Sequence, residues 1–174
     1  MGLDMNLYRR VRLDNNLELT GRRGKAVEDV VLNGQRNKNL GRATHYELTT
    51  AVCYWRKFNA LHKYFADNFG GDEDNCVDMY LEIDDIRKLL MTLRDLRKQI
   101  KQDKDGNVIN TDVCKEMLPT QDGFFFGDTE YDKYYVMDID DTIEMLSGVI
   151  EDHAKMVEAD VNEYDINYYY RAWY

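Results

Sequence analysis

The chain has 174 residues, of which 44% are apolar and 32% charged, and 33 acidic residues against 23 basic ones give a formal net charge of −10. This length is typical of one domain, and the apolar fraction is too high for a disordered chain. No apolar run approaches the roughly 18 residues that a membrane-spanning helix needs, so no membrane partner is expected.

The cysteines indicate a reducing compartment. Cys53, Cys76 and Cys114 are widely spaced and form no CxxC motif, which favours free thiols over a disulfide framework or a zinc site. The first ten residues, MGLDMNLYRR, do not form a secretory signal. We therefore expect a protein of the cytoplasm.

The charge is distributed unevenly along the chain. Residues 1–43 carry 9 basic and 5 acidic residues, whereas residues 105–174 carry 4 and 17. This argues against direct binding of nucleic acid, because phosphates require a basic surface. It favours a partner protein with a basic surface. A solvated acidic face that only keeps the protein soluble explains the same charge.

Alternation of apolar and polar residues predicts four strands. The first lies near residues 3–8, the second at 46–54 and the third at 77–83. The fourth is an aromatic strand at 164–174, and its pairing with the first would join both ends of the chain in one sheet. Residues 14–43, rich in Asn, Gly and Arg, are expected to form a polar excursion, either a hairpin or a mobile arm.

Helical periodicity predicts about three helices. The first carries an apolar stripe that includes Trp55 and ends at Gly70-Gly71, and the second is long and capped by Asp84 or Asp85. A short helical piece at 113–118 follows. The last helix starts where Asp138, Asp140 and Asp141 crowd together. Strands and helices do not alternate strictly, so we predict an α+β fold in a single domain over residues 1–174, with a mainly antiparallel sheet joining the N- and C-terminal strands.

Two polar segments are candidate ligand sites. Trp55, Asn59 and His62 are spaced to share one helix face, where they could line a pocket for a planar ligand, with Arg56 or Lys57 meeting its charge. A core histidine among packed aromatic residues explains the same pattern. The second segment follows three phenylalanines between Gly123 and Gly127, and its polar residues are Thr129, Glu130, Tyr131 and Asp132.

An acid–base pair of Glu130 and His62 would make such a pocket catalytic. However, the sequence contains no GxSxG, HExxH, Walker or GxGxxG motif. Its three histidines are too scattered to predict a metal site. We therefore expect no metal and no cofactor, and the absence of these motifs favours a non-enzymatic protein.

The last helix carries a candidate partner-binding surface. Glu144, Glu151 and Glu158 are seven residues apart and so form one stripe, to which Asp138, Asp140 and Asp141 add charge. Seven residues rise roughly 10.5 Å, whereas phosphates along a DNA strand advance about 3.4 Å per step. The helix therefore matches DNA poorly, although mimicry of DNA stays an alternative.

Four sequence blocks resemble a known family. MGLDMNLYRR, YWRKFNALHKYF, LPTQDGFFFGDTEYDKYY and YYYRAWY are similar to segments of small uncharacterised proteins found in bacteriophages and bacterial genomes. Those proteins begin with an MGLDMYL-like strand and carry a YWRKANAIHKWF-like helix and a PTQSGFFFGSTEYDEWY-like segment. The resemblance covers residues 1–10 and about 46–174, and departs from the pattern at Asn6 and Phe58. The matching polar and glycine positions are Trp55, Arg56, Lys57, Asn59, His62, Thr120, Gly123, Gly127, Thr129, Glu130, Tyr131 and Asp132.

The resemblance implies a phage origin and a shared scaffold but no reaction. With the acidity and the lack of catalytic motifs, it leads to our first hypothesis, a phage accessory protein that binds and inhibits a host component, such as a defence effector. The alternative is a protein or enzyme that binds or sequesters a small molecule or nucleotide in the predicted pocket. A third hypothesis confines function to residues 14–43.

Overall fold

A computed structural model describes residues 2–14, 31–32, 35–36, 45–70 and 77–174. A four-stranded antiparallel sheet has the order β4-β1-β6-β5, and β2 and β3 pair as a short separate hairpin within the predicted excursion. The strands are β1 (Asp4–Asp14), β2 (Val31–Leu32), β3 (Gln35–Arg36), β4 (His45–Arg56), β5 (Met79–Leu81) and β6 (Ile166–Trp173). The rest of the excursion lies outside the described residues.

Four helices accompany the sheet in the described part of the chain. They are α1 (Asn59–Phe69), α2 (Ile83–Gln99), α3 (Thr111–Met117) and α4 (Lys133–Glu158), and a 3-10 turn at Glu163–Asp165 precedes β6. The α+β class is confirmed. The predicted pairing of the two chain ends is confirmed as well, since Met5 lies opposite Ala172 and Val11 opposite Ile166.

Strand alternation builds the core. Along β6, the even-numbered residues from Ile166 to Ala172 are buried, whereas their odd-numbered neighbours lie on the other face of the sheet. The ring of Phe65, from α1, stacks on Tyr170 with 4.1 Å between ring centroids. Cys53 and Cys114 are free and buried, and burial raises the pKa of Cys53 to about 12. Cys76 lies outside the described residues.

The opposite face of the sheet carries arginine and aromatic side chains. Arg10 lies over the ring of Tyr169, 4.0 Å from its centroid, and Arg171 lies near the ring of Trp173. Asp78, just before β5, forms ion pairs with both arginines. One carboxylate therefore ties the segment before β5 to β1 and β6.

The predicted start of the first helix is wrong. Trp55 belongs to β4, where it pairs with Met5, and α1 begins four residues later at Asn59. Between the strand and the helix, Lys57 takes a left-handed backbone conformation with a φ of 62°. Aromatic residues recur every three or four positions on both sides of this turn, although the backbone changes there from strand to helix. They do so because the strand and the helix bury their apolar side chains in the same core.

The predicted starts of the two long helices are also wrong. α2 begins at Ile83 with Glu82 as its N-cap, and Asp85 is the third residue of a capping box rather than the cap. α4 begins at Lys133, and its N-cap Asp132 accepts hydrogen bonds from the backbone amides of Tyr134 and Tyr135. Asp138, Asp140 and Asp141 therefore lie beyond the first turn of α4. The backbone amides that are unpaired at a helix N-terminus all lie before them, so these aspartates do not cap the helix.

None of the described helices is both long enough and apolar enough to cross a membrane.

The N-cap of α4 provides a stability test. Replacing Asp132 by Ala removes the acceptor of two backbone amides, and we expect it to lower the free energy of unfolding by about 1 kcal/mol. Asp141→Ala is the control, since Asp141 is exposed on the same helix and forms no ion pair with a described residue. Urea denaturation measures both variants, and equal losses would contradict this role of Asp132.

Candidate functional site

A polar cleft of about 370 Å³ opens where the end of β4 meets residues 120–132 and the first turns of α4. It brings together residues from the two polar sequence blocks, which are far apart in the chain. Its lining residues, together called the polar cleft below, are Arg56, Lys57, Phe58, Asn59, Thr120, Gly127, Asp128, Glu130, Asp132, Tyr134, Tyr135 and Asp138.

Lys57 shapes one wall of the polar cleft through its backbone. Its N–H donates to the carbonyl of Leu3 at 2.8 Å, and its carbonyl accepts from the amide of Asn59 at 2.9 Å. Gly127 packs against it with a φ of 89°, and a Cβ there would lie 3.3 Å from the Cβ of Lys57. A side chain at Gly127 would therefore be strained by its backbone conformation and crowded by Lys57.

Asn59 braces the loop that lines the polar cleft. It is only 3% exposed, and its Nδ2 donates to the carbonyls of Phe126 at 3.2 Å and Asp128 at 2.7 Å. Its Oδ1 accepts from the amide of Gln121 at 3.0 Å. One buried amide thus pairs three backbone groups of a segment that has no helix or strand to pair them.

Thr120, Thr129 and Tyr131 also hold this segment together. The Tyr131 hydroxyl accepts from the amide of Thr120 at 3.2 Å, and the Thr120 hydroxyl donates to the carbonyl of Thr129 at 3.1 Å. Thr129 and Tyr131 line a neighbouring groove of about 590 Å³ rather than the polar cleft. Asp128, Glu130 and Asp132 line both and form the ridge between them.

Trp55 and His62 are core residues. The Trp55 indole donates to the Thr142 hydroxyl at 2.9 Å. His62 is fully buried, and its Nδ1 lies 2.8 Å from the hydroxyl of Tyr170. Neither residue lines the polar cleft or the groove beside it. The expected shared helix face of Trp55, Asn59 and His62 is therefore wrong, because Trp55 lies on a strand.

Carboxylates outnumber cations in the polar cleft. Asp128, Glu130, Asp132 and Asp138 face only Arg56 and Lys57. Burial, and then the charges of Asp141 and Asp132, raise the pKa of Asp138 to about 6. A phosphorylated ligand would meet this negative potential, so the charge balance favours a cationic group.

No cluster of three or more His, Cys, Asp or Glu side chains in the described residues is arranged to hold a metal ion.

The predicted partner-binding residues lie along α4, which is about 39 Å long. Asp138 lines the polar cleft, and the others are exposed and form what we call the acidic face: Asp140, Asp141, Glu144, Glu151 and Glu158. Asp140 pairs with Arg97 of α2 at 2.7 Å, and Glu151 pairs with Lys155 at 2.8 Å. The remaining three form no ion pair with any residue that the structure describes.

Sequence reasoning missed Asp128 as a cleft residue and Asp138 as a link between the cleft and α4. Asp128 directly follows Gly127, so the turn at that glycine was an available signal. Asp138 could be assigned only once the start of α4 was known, because its neighbours in space come from β4 and the loop.

Comparison with known proteins adds no relative: no family model, no curated protein and no solved structure matches this chain.

Asn59 provides the second stability test. Asn59→Ala leaves two carbonyls and one amide of the loop unpaired, and we expect it to lower the free energy of unfolding by about 2–3 kcal/mol. Amide hydrogen exchange at Gln121 should accelerate, because its acceptor is removed. The control is Asn68→Ala, since Asn68 is exposed and makes one bond to the carbonyl of Tyr64 within its own helix. Unchanged exchange at Gln121 would show that Asn59 does not brace the loop.

The raised pKa of Asp138 provides a test of the negative charge in the polar cleft. Its pKa in the folded protein, about 6, lies above its ordinary value of 3.8, so the folded state binds this proton more tightly than the unfolded chain does. The free energy of unfolding should therefore fall as the pH rises from about 4 to above 6. Asp138→Asn removes that loss, and we expect it to stabilise the protein at pH 7.5 by on the order of 1 kcal/mol after allowance for solvent screening.

Below about pH 4 the variant should match the wild type, because the carboxyl is then neutral in both states. Urea denaturation across this pH range checks the expectation. Glu144→Gln, at an exposed position on the same helix, is the control for the loss of one carboxylate. A constant difference between Asp138→Asn and the wild type would contradict the raised pKa.

Proposed function

We propose that this protein is a phage accessory protein that binds a host protein through a basic surface of that partner and inhibits it, with a defence effector as the target class. The contact surface is the acidic face of α4. The sequence resemblance supports the phage origin, and the exposed carboxylates of α4 support this choice of contact surface.

The observation that carries the proposal is the set of unpaired carboxylates on α4. Asp141, Glu144 and Glu158 face solvent without an ion pair to a described residue, and they extend over much of the helix. An exposed carboxylate without an ion pair can attract a basic partner without first breaking an ion pair within its own chain. Such complementarity raises the association rate and fixes orientation, and it weakens as salt increases.

The polar cleft extends this surface at the start of α4. Asp138 joins it to the acidic face, and Glu130 adds an exposed carboxylate at its rim. A basic side chain of a partner that lies along α4 could therefore enter the cleft at one end of the contact.

A second candidate is the binding of a small molecule in the polar cleft itself. Its volume of about 370 Å³ is within the range of roughly 300–1,000 Å³ found for ligand sites. The left-handed backbone of Lys57 is the kind of local strain that often accompanies a binding site. The excess of carboxylates favours a ligand with a cationic or hydrogen-donating group over a nucleotide.

The proposal is tested with the triple variant Asp141→Asn/Glu144→Gln/Glu158→Gln. Immobilised wild-type protein should retain a basic host protein from bacterial extract at low salt and release it as the salt rises. We expect the triple variant to retain at least about tenfold less, since three exposed charge contacts of roughly 0.5 kcal/mol each amount to one decade of affinity. The wild-type protein should also inhibit the purified target.

The matched control is Asp105→Asn/Glu116→Gln/Asp122→Asn, which removes three exposed carboxylates that do not belong to α4. It should retain the partner as the wild type does. Equal losses in both triple variants would indicate a general charge effect and not a contact at α4. Retention that is indifferent to salt, or no inhibition of the captured target, would refute the proposal.

A further inference from the structure

A second cleft, of about 250 Å³, lies between the start of α2, the C-terminal half of α4 and the start of β6. We call it the Tyr164 cleft after its most exposed residue. Its ionisable and aromatic lining residues are Tyr80, Glu82, Asp84, Arg87, His153, Glu163 and Tyr164. Its volume is below the roughly 300 Å³ at which sites for drug-sized ligands begin, which favours a single small group.

Two tyrosine rings stand at the Tyr164 cleft. Tyr164 is 92% exposed and Tyr80 is 49% exposed. Tyr80 packs its ring against Tyr169 in an edge contact at 5.6 Å, which holds its orientation. Aromatic rings exposed beside a concave surface are typical of contact sites, because their faces gain most when a partner covers them.

Carboxylates surround these rings. Arg87 lines the cleft as well and pairs with Asp84 at 2.7 Å. The Glu82 side chain accepts from the backbone amide of Asp85 in the capping box of α2. Neither Glu82 nor Glu163 forms an ion pair with a lysine or arginine that the structure describes, so the carboxylates of the cleft outnumber its one cation. The start of α2 lies here as well, but its own acidic residues make the site unsuitable for an anion.

Glu163 is held in place by a buried histidine. His153 is 2% exposed, and its Nε2 lies 3.3 Å from Oε1 of Glu163. A carboxylate only accepts hydrogen bonds, so Nε2 donates; in the neutral ring, Nδ1 then accepts from the Tyr168 hydroxyl at 3.1 Å. The core thereby orients one carboxylate oxygen and leaves the other free for a ligand.

We propose that the Tyr164 cleft binds the guanidinium group of an arginine side chain of the partner protein. A planar cation stacks on tyrosine rings and pairs with carboxylates, and arginine does both better than lysine. The inference rests on the proposed function, since the arginine is taken to belong to the partner that binds the acidic face of α4. It adds an anchoring residue type to that contact.

The probe is N-acetyl-arginine amide, titrated into the full chain and followed by NMR at the backbone amides of Tyr164 and Asn167. We expect saturable millimolar binding. The citrulline analogue, which has the same shape without the charge, should bind at least about tenfold more weakly. Tyr164→Leu and Glu163→Gln should each weaken arginine binding by about fivefold.

Phe124→Leu is the matched control, because Phe124 is 95% exposed and lies outside this cleft. It should bind the probe as the wild type does. Equal binding of citrulline and arginine, equal binding of N-acetyl-lysine amide, or no effect of Tyr164→Leu would each overturn the proposal of a guanidinium site.

The two proposals fail separately. The triple variant of α4 leaves the Tyr164 cleft intact and should still bind the arginine probe. Probe binding without capture of a host protein would refute the proposed function and support the cleft. Capture of a host protein that depends on α4, without any binding of the arginine probe, would support the proposed function and refute the guanidinium site.

Discussion

The backbone of Leu3 is the point on which the polar cleft depends. Its carbonyl accepts from the amide of Lys57, just after β4, and its amide donates to the carbonyl of Phe125 at 3.0 Å. Two segments far apart in the chain are therefore fixed to the residue just before β1. Because β1 pairs with β4 on one side and β6 on the other, the sheet that joins the two chain ends also positions the cleft.

The carboxylates of α4 stay largely unneutralised because most basic residues of the neighbouring helix α2 pair within α2 itself. Three cations of α2 pair with aspartates three residues earlier on the same helix: Arg87 with Asp84, Lys88 with Asp85 and Lys98 with Asp95. Arg94 donates to the Ser147 hydroxyl of α4 at 3.0 Å, and among the described residues Arg97 is the only cation of α2 that forms an ion pair with α4, through Asp140. The neighbouring helix thus has the basic residues to neutralise α4 but uses most of them locally. The acidic face therefore stays unbalanced although a basic helix packs beside it.

Regular alternation predicts where a strand lies better than where it ends. Strands near 3–8 and 164–174 and their pairing are predicted, because residues on one face of a sheet share one environment. However, β1 continues to Asp14, and β6 begins only at Ile166, after a 3-10 turn. The change from strand to helix after Trp55 was missed, since the aromatic spacing runs through the left-handed turn at Lys57. The Tyr164 cleft could not be predicted from the sequence either, because Tyr80 and Tyr164 line one cleft only once β5 has paired with β6.

Several residues of the two polar sequence blocks stabilise the loop at residues 120–132 and do not point to a reaction. Asn59, Thr120 and Tyr131 form hydrogen bonds with the backbone of residues 120–132. The loop therefore needs these side chains for its own structure, whether or not a ligand binds. The cleft side chains Lys57 and Glu130 make no such bond among the described residues. A substitution at a bracing residue should therefore lower stability, whereas a substitution at Lys57 or Glu130 that keeps the backbone should leave it unchanged. The charged side chains of the cleft are thus the part of it that the fold does not require.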